Sequence, residues 1–265
     1  MTRRRSILTM SLLGMLAFCA FAAQNAFAWE TALDTTAFEC STSAAAKDYA
    51  DAHCDNTIVS GGSYGHKSIG FGAQVEIETS NTATKNSTTE AEEVVLGGEL
   101  LGVPVKITCL KVEPHAAIVS FVENLNPGDF EGTVGVVFTE CVLEGNGSSL
   151  GCHVEEPVTL LALFHGVEQG IAPAREMAIE FTPDPSTSTT LATLHFTGTG
   201  CLLTTANIKG RIRGTGSGAD GTGATLHFQP ADESLTFGGN PATLTGTFTT
   251  RVSSTGRALV TTTAQ

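Results

Sequence analysis

Apolar side chains recur at every second position in three separate runs of the chain. These runs are Val103, Val105, Ile107 and Cys109; Val134, Val136 and Phe138; and Met177, Ile179 and Phe181. A period of two puts the apolar side chains on one face of an extended chain, so each run predicts a half-buried β-strand. Helical patterning is confined to residues 43–53, where Ser43 is a suitable N-cap and the interior is rich in alanine. The pattern predicts an all-β fold with one short N-terminal helix.

Turn-forming segments between these runs indicate how the strands connect. Residues 145–149 (GNGSS) lie between Cys141 and Cys152 and predict a hairpin. The pentapeptide ATLHF occurs at 192–196 and again at 224–228, which fits two similar hairpins in a sheet better than a solenoid. We predict one disulfide-stapled β-sandwich or barrel-like domain over residues 29–252, followed by a flexible tail at 253–265.

Charge is distributed unevenly along the chain. Residues 29–156 contain 5 basic and 20 acidic residues, whereas residues 157–265 contain 6 and 7. Two lobes joined near residues 166–175 are therefore an alternative to the single domain. The formal net charge of −13 disfavours nucleic acid and anionic lipid as partners.

The N-terminus has the three parts of a signal peptide. Arg3, Arg4 and Arg5 form the positive region, residues 7–23 form the apolar region, and residues 26–28 (AFA) form a small-x-small cleavage site. Cleavage after residue 28 would leave Trp29 first, and an uncleaved membrane anchor is the alternative. Residues 4–8 also fit a loose twin-arginine signal. Because no later segment is long and apolar enough to span a bilayer, we expect a secreted or envelope-associated protein.

The cysteines predict three disulfides, since six remain after removal of residues 1–28 and the chain is exported. Two pairs follow from the bracketed helix and the hairpin, and the third follows by elimination. The expected pairs are Cys40–Cys54, Cys141–Cys152 and Cys109–Cys201. Pairing of Cys109 with Cys141 and of Cys152 with Cys201 is the alternative, which would join consecutive strands. None of the cysteines shows the C-x₂-C spacing of zinc sites, and we predict no metal or cofactor.

Several short segments around the cysteines and turns carry a resemblance. They are residues 38–40 (FEC), 51–54 (DAHC), 105–109 (VKITC), 137–141 (VFTEC), 151–152 (GC), 196–201 (FTGTGC) and 235–246 (LTFGGNPATLTG). In these the chain resembles a group of uncharacterised secreted bacterial β proteins that are rich in threonine and glycine and have paired cysteines. The resemblance covers most of the chain after residue 28 and implies structure, with no activity to carry over.

Ser63 is the one candidate catalytic residue. It lies in residues 61–65 (GGSYG), a formal match to the G-x-S-x-G nucleophile elbow, in which a strand-to-helix turn exposes the serine hydroxyl. The run that follows, residues 68–77, has the pattern of a strand. We therefore interpret the motif as a glycine-rich turn and assign no catalytic residue.

Three other patterns imitate functional sites. Residues 214–219 (GTGSGA) imitate a dinucleotide fingerprint but lack the βαβ context, so we predict a turn. His195 and His227 occupy matching places in the ATLHF repeat and could approach each other as metal ligands; strand faces explain them more simply. An acidic run, formed by Glu90, Glu92, Glu93 and Glu99, lacks the spacing of a calcium loop and is interpreted as a solvated face.

These observations predict an exported, non-enzymatic, β-rich binding or structural module of the cell envelope or extracellular space. An extracellular protein or a glycan is the kind of ligand such a module would take. One alternative is an extracellular hydrolase that uses Ser63 or a pair of acids. Another is a calcium- or carbohydrate-binding lectin-like domain, although the chain has one Trp and two Tyr for stacking on sugars.

Overall fold

The computed structural model describes residues 35–54, 57–85, 88–91, 93–126, 129–144, 151–169, 176–186, 188–201, 203–216, 225–228 and 234–263. All of these lie in one compact unit, residues 32–265. The predicted signal peptide, residues 1–28, and the predicted hairpin turn, residues 145–149, lie outside them.

β-Strands form the regular secondary structure of the described residues. They are β1 (Thr35–Ser41), β2 (Gly65–Ser68), β3 (Val75–Ser80), β4 (Thr82–Lys85), β5 (Thr88–Ala91), β6 (Val94–Leu100), β7 (Val103–Pro114), β8 (Ser120–Asn126), β9 (Asp129–Glu144), β10 (His153–Val154), β11 (Val158–Gln169), β12 (Glu176–Thr182), β13 (Ala192–Thr197), β14 (Thr205–Gly216), β15 (Thr225–Phe228), β16 (Ser234–Phe237), β17 (Asn240–Val252) and β18 (Leu259–Thr263). The predicted all-β fold is confirmed, and the alternating runs lie in β7, β9 and β12. Within the described segments, no helix has the length and apolarity needed to cross a bilayer.

Four long strands, β9, β11, β14 and β17, organise the main sheet. Each pairs along one edge with two different strands in succession: β9 with β8 and then β7, and β11 with β13 and β12. β14 does so on both edges, with β12 and β13 on one and β15 and β16 on the other. β17 joins β15 and β16 to β3 and β6. In addition, β3 pairs with β8, β6 with β7, and β9 with β11. Moving from each strand to its hydrogen-bonded neighbour therefore leads from β17 through β3, β8, β9, β11, β12, β14 and β15 back to β17. We call this series the circuit of strand pairs.

The hydrophobic core is formed by side chains of these strands. Phenylalanine rings from successive strands touch there, with the Phe228 and Phe248 centroids 4.7 Å apart and the Phe164 and Phe181 centroids 5.8 Å apart. Alternate residues of each strand face this core, as Ile208 and Ile212 of β14 do, and their neighbours face outward.

The predicted N-terminal helix is wrong. Residues 43–53 form turns, and Tyr49 makes isolated bridges to Thr57 and Tyr64. The Tyr49 N–H donates to the Tyr64 carbonyl over 3.1 Å, so this backbone bonds to another segment instead of to itself. An eleven-residue helix is marginal in isolation, and tertiary contacts therefore outweigh its alanine-rich propensity.

The C-terminal tail also differs from the expectation of fraying. Residues 259–263 form β18, which pairs with β1 from Thr35↔Thr263 to Glu39↔Leu259, and Leu259 is buried. β1 pairs with β2 on its other edge, giving a small three-stranded sheet. Of the proposed junction between two lobes, residues 166–169 are the end of β11 and pair with residues 176–179 of β12, and residues 170–175 lie outside the described part.

Two of the three expected disulfides are corrected. Cys40–Cys54 is present, but the others are Cys109–Cys141 and Cys152–Cys201 in place of Cys109–Cys201 and Cys141–Cys152. The reason is strand register. Cys109 lies directly opposite Cys141 in the β7–β9 ladder, with Cα atoms 4.0 Å apart, because β9 turns its second half toward β7. Cys152 precedes β10, whose partner β13 leads to Cys201.

Candidate functional site

The surroundings of Ser63 are those of a turn entering a strand. Ser63 is exposed, its N–H donates to the Tyr49 carbonyl over 3.0 Å, and Gly65–Ser68 continues as β2. A nucleophile elbow requires a helix after the serine, and here a strand follows it.

The local backbone explains why glycine occupies positions 61 and 65 of this motif. Gly61 has a φ of +79°, which favours glycine. A Cβ atom at Gly65 would overlap the Ala46 carbonyl oxygen, so only glycine allows the two backbones to approach this closely. The G-x-S-x-G spacing therefore has backbone causes: a positive φ at Gly61 and close packing at Gly65.

The two histidines of the ATLHF repeat lie far apart. His195 is opposite Thr205 at one end of β14, and His227 is opposite Thr215 at the other. Ten residues of strand correspond to roughly 33 Å, so these histidines do not form the metal pair that was the alternative to plain strand-face residues. His227 Nδ1 instead lies 3.1 Å from the Thr247 hydroxyl.

The other two candidates are the dinucleotide-like motif and the acidic run, and each lies partly outside the described part of the chain. Gly214 and Thr215 belong to β14, so the dinucleotide-like motif begins within a strand. Glu93 and Glu99 are exposed, whereas the side chain of Glu90 and all of Glu92 lie outside the described part. Among the described residues, no three His, Cys, Asp or Glu side chains are grouped to hold a metal ion.

Two carboxylates are buried among the described residues, Glu39 and Glu180, and Glu180 lies on the outside of the main sheet. Ile179 and Phe181 of β12 face the core, so Glu180 faces outward, yet it is only 6% exposed. Its cross-strand neighbours are His165 on β11 and Arg213 on β14. The β11–β12 register and the β12–β14 register thus each place a polar side chain beside Glu180.

Two arginines hold the Glu180 carboxylate. Arg213 Nε donates to Oε2 over 2.6 Å, and Arg211 Nη1 lies 3.4 Å from the same oxygen. His165 Nε2 lies 3.9 Å from Oε1. Charge-assisted bonds of this kind compensate the cost of burying a carboxylate. We call Glu180, Arg211, Arg213 and His165 the Glu180 cluster.

The imidazole of this cluster is kept neutral. Burial lowers the pKa of His165 below its ordinary value, although the negative charges of Glu180, Asp129 and Glu131 act to raise it and Arg213 to lower it further. The cluster therefore carries two positive charges and one negative charge at neutral pH.

The cluster is part of a row of cations along β14. Lys209, Arg211 and Arg213 alternate with core-facing residues, so all three point outward. Their opposite residues are Thr236, Ser234 and Glu180. We call the outward side chains of β14, with those opposite them on β13 and β16, the β14 face.

The strands around this face differ from the rest of the main sheet in their content of acidic residues. The sequences of β13 to β17 contain neither Asp nor Glu, whereas β3 and β6 to β9 together contain nine. Sequence reasoning missed the Glu180 cluster, because the burial of Glu180 depends on cross-strand register. The sequence does contain one indication of the cationic face: in residues 208–213 (IKGRIR), cations alternate with isoleucine or glycine, which predicts a strand with the cations on one side.

An apolar cavity of about 40 Å³ lies within the core and carries no comparable chemistry. Its lining comes from β6, β7, β9, β11, β13, β14, β16 and β17, and consists of Val94, Leu96, Ile107, Cys109, Phe138, Val158, Leu160, Ala192, Leu194, Ile208, Ile212, Leu235 and Leu244.

Comparison with known proteins adds no assignment to this geometry. The chain matches no protein-family model, no curated protein and no solved structure.

Proposed function

We propose that the protein is an exported, non-enzymatic binding or structural module of the cell envelope or extracellular space, and that the β14 face is its binding surface. The observation that carries this proposal is the row of three outward cations on β14, in a chain of net charge −13. Two of these cations share Glu180 of β12, and the sequences of β13 to β17 contain no carboxylate. Concentrating scarce positive charge on one face favours an anionic ligand there.

The Glu180 cluster supports binding through fixed charges. A guanidinium has five N–H donors in a rigid plane, and a carboxylate that holds one side of it fixes the direction of the others. Arg211 and Arg213 keep side-chain exposures of 44% and 30%, so an external anion can reach them.

The fold suits a rigid extracellular scaffold. We propose that the circuit of strand pairs is a closed, barrel-like domain, an architecture that leaves no free sheet edge around the ring. Three disulfides are typical of proteins in an oxidising compartment, as is expected for an exported chain.

Sedimentation with an envelope preparation from the source organism tests this function. We expect residues 29–265, with disulfides formed, to sediment with the envelope at low salt and to be released at high salt, because exposed charges are screened. The double variant K209Q/R211Q should remain mostly in the supernatant.

A matched control removes two cations elsewhere. Lys106 and Lys111 of β7 are exposed and pair with Glu144 and Glu140 at 3.0 Å and 2.6 Å. K106Q/K111Q has the same net charge as K209Q/R211Q and should sediment like the wild type. Equal loss in both double variants, or no sedimentation of the wild type, would contradict the proposed function.

A further inference from the structure

We propose that the β14 face binds a chain of acidic polysaccharide, one that carries carboxylates on its sugars. This inference deepens the binding function proposed above and rests on it. The cations of β14 stand at every second residue, so the Cα atoms of neighbours are about 7 Å apart and those of Lys209 and Arg213 about 14 Å apart. The guanidinium groups of Arg211 and Arg213 meet at Glu180 Oε2, so the face presents two positive centres, this arginine pair and Lys209. Two positive centres along one strand fit a polymer with repeated anionic groups.

Hydroxyl and amide groups lie beside this row. Thr236 is opposite Lys209, and Ser234 is opposite Arg211 and accepts a hydrogen bond from its Nε over 3.3 Å. Farther along β14, the Thr193 hydroxyl donates to Asn207 over 3.0 Å. These groups both donate and accept hydrogen bonds, as sugar hydroxyls do.

The arginines retain donors for a ligand. Arg213 uses Nε for Glu180, and Arg211 uses Nη1 for Glu180 and Nε for Ser234. Five N–H groups per guanidinium leave both residues with donors beyond these contacts. A sugar carboxylate is a planar acceptor that a guanidinium binds with two parallel bonds.

A glycan fits better than a nucleic acid. Duplex DNA carries one phosphate charge per about 1.7 Å of its axis, a density that cations about 7 Å apart along a single strand do not match. The aromatic side chains described on β13, β15 and β16, such as Phe196, Phe228 and Phe237, are buried, so this part of the surface gives no platform for stacked bases.

Binding to immobilised polygalacturonate tests the inference. The oxidised mature protein, residues 29–265, is compared with K209Q/R211Q and with the control K106Q/K111Q at low salt. We expect roughly tenfold weaker binding for K209Q/R211Q and wild-type binding for the control, since each exposed charge contributes modestly. Arg213 is left in place because its removal would expose buried Glu180. Unfolding midpoints measured for all three proteins verify that they are folded.

Other immobilised polymers separate the alternatives. Neutral dextran should not bind, whereas binding to dextran as strong as to polygalacturonate would overturn the role of charge. Stronger binding to polyglutamate or to single-stranded DNA would overturn the glycan in favour of those partners. Envelope sedimentation without polygalacturonate binding would overturn this inference alone; failure of both experiments would overturn the proposed function as well.

Discussion

Asn124 joins the small sheet to the main sheet. Its side chain is fully buried, its Oδ1 accepts from the Ala37 N–H, and its Nδ2 donates to the carbonyls of Ala37 and Ile69, all over 3.0 Å. One amide side chain thus satisfies three buried backbone groups.

Asn124→Ala should therefore lower the free energy of unfolding by about 3 kcal/mol or more, because it leaves three backbone groups without a partner. Urea denaturation measures the loss. Asn207→Ala, at an exposed asparagine, is the control and should change stability by about 0.5 kcal/mol or less. Comparable stability of the two variants would mean that Asn124 does not hold the sheets together.

His165 should make stability dependent on pH. Burial lowers its pKa in the native protein, so below about pH 6.5 the unfolded chain takes up a proton that the native state does not. The free energy of unfolding should therefore fall as the pH drops through this value, until the native imidazole is protonated too. Above about pH 6.5 the imidazole is neutral in both the unfolded and the native state, so His165 causes no loss of unfolding free energy there.

In His165→Gln, we expect a smaller loss of stability between about pH 7.5 and pH 5.5 than in the wild type, measured by urea denaturation at each pH. His195→Gln, at an exposed histidine, should follow the wild-type curve. Parallel curves for His165→Gln and the wild type would show that burial of this imidazole has no effect on stability.

The candidate site was only partly predictable from residues. The order of Lys209, Arg211 and Arg213 in a strand pattern places them on one face. The role of Glu180 could not be inferred, because its neighbours come from strands 15 and 33 positions away in sequence and meet it only through register. Ser63 stays a turn residue in our interpretation, since Gly61 is needed for its positive φ and Gly65 for backbone packing.

Among elements, the β7–β9 ladder places Cys109 opposite Cys141, and the β10–β13 pair brings Cys152 and Cys201 together. Trypsin should leave Cys141 and Cys152 in one peptide, residues 112–175, joined both to the peptide with Cys109 and to the peptide with Cys201. Further cleavage after the exposed Glu144 should split this cluster into two linked products, Cys109–Cys141 and Cys152–Cys201.

Mass spectrometry of non-reduced digests identifies these products, and a reduced digest is the control. A product that links Cys109 to Cys201 after cleavage at Glu144 would contradict the observed pairing.

Strands were predictable where their period was clear, and errors arose where an element depended on distant partners. Residues 43–53 have a helical composition but bond to Tyr64 and neighbouring backbone. β18 is polar in sequence, yet β1 supplies its hydrogen-bonding partner. The pairing of β9 with two strands in succession has no sequence signal, and the cysteine error follows from it.

At the scale of the whole molecule, carboxylates are concentrated on β3 and β6 to β9. Glu123 and Glu131 are directly opposite each other in the β8–β9 ladder. Like charges in this position are destabilising, and added salt screens them. We expect the thermal unfolding midpoint to rise between low salt and about 0.5 M sodium chloride.

Glu131→Gln should raise the midpoint at low salt and reduce its dependence on salt, because the repulsion from Glu123 is removed. Glu144→Gln is the control, since Glu144 accepts a hydrogen bond from Lys106, so its loss should be neutral or destabilising. An unchanged salt dependence in Glu131→Gln would assign the effect of salt to other groups.

The circuit of strand pairs also has a consequence for the order of folding. β1 pairs with β2 on one edge and β18 on the other, and β3 pairs with β8 and β17, so each of these early strands has one partner near the C-terminus. Contacts this distant along the chain slow folding, because a long loop must close before any pair is gained. During synthesis, apolar strands such as β6 and β7 can pair as a hairpin, but the core they face stays open until residues 240–263 arrive. We therefore expect the native state to form only after residues 240–263 have been synthesised, and the incomplete chain to expose apolar surface until then.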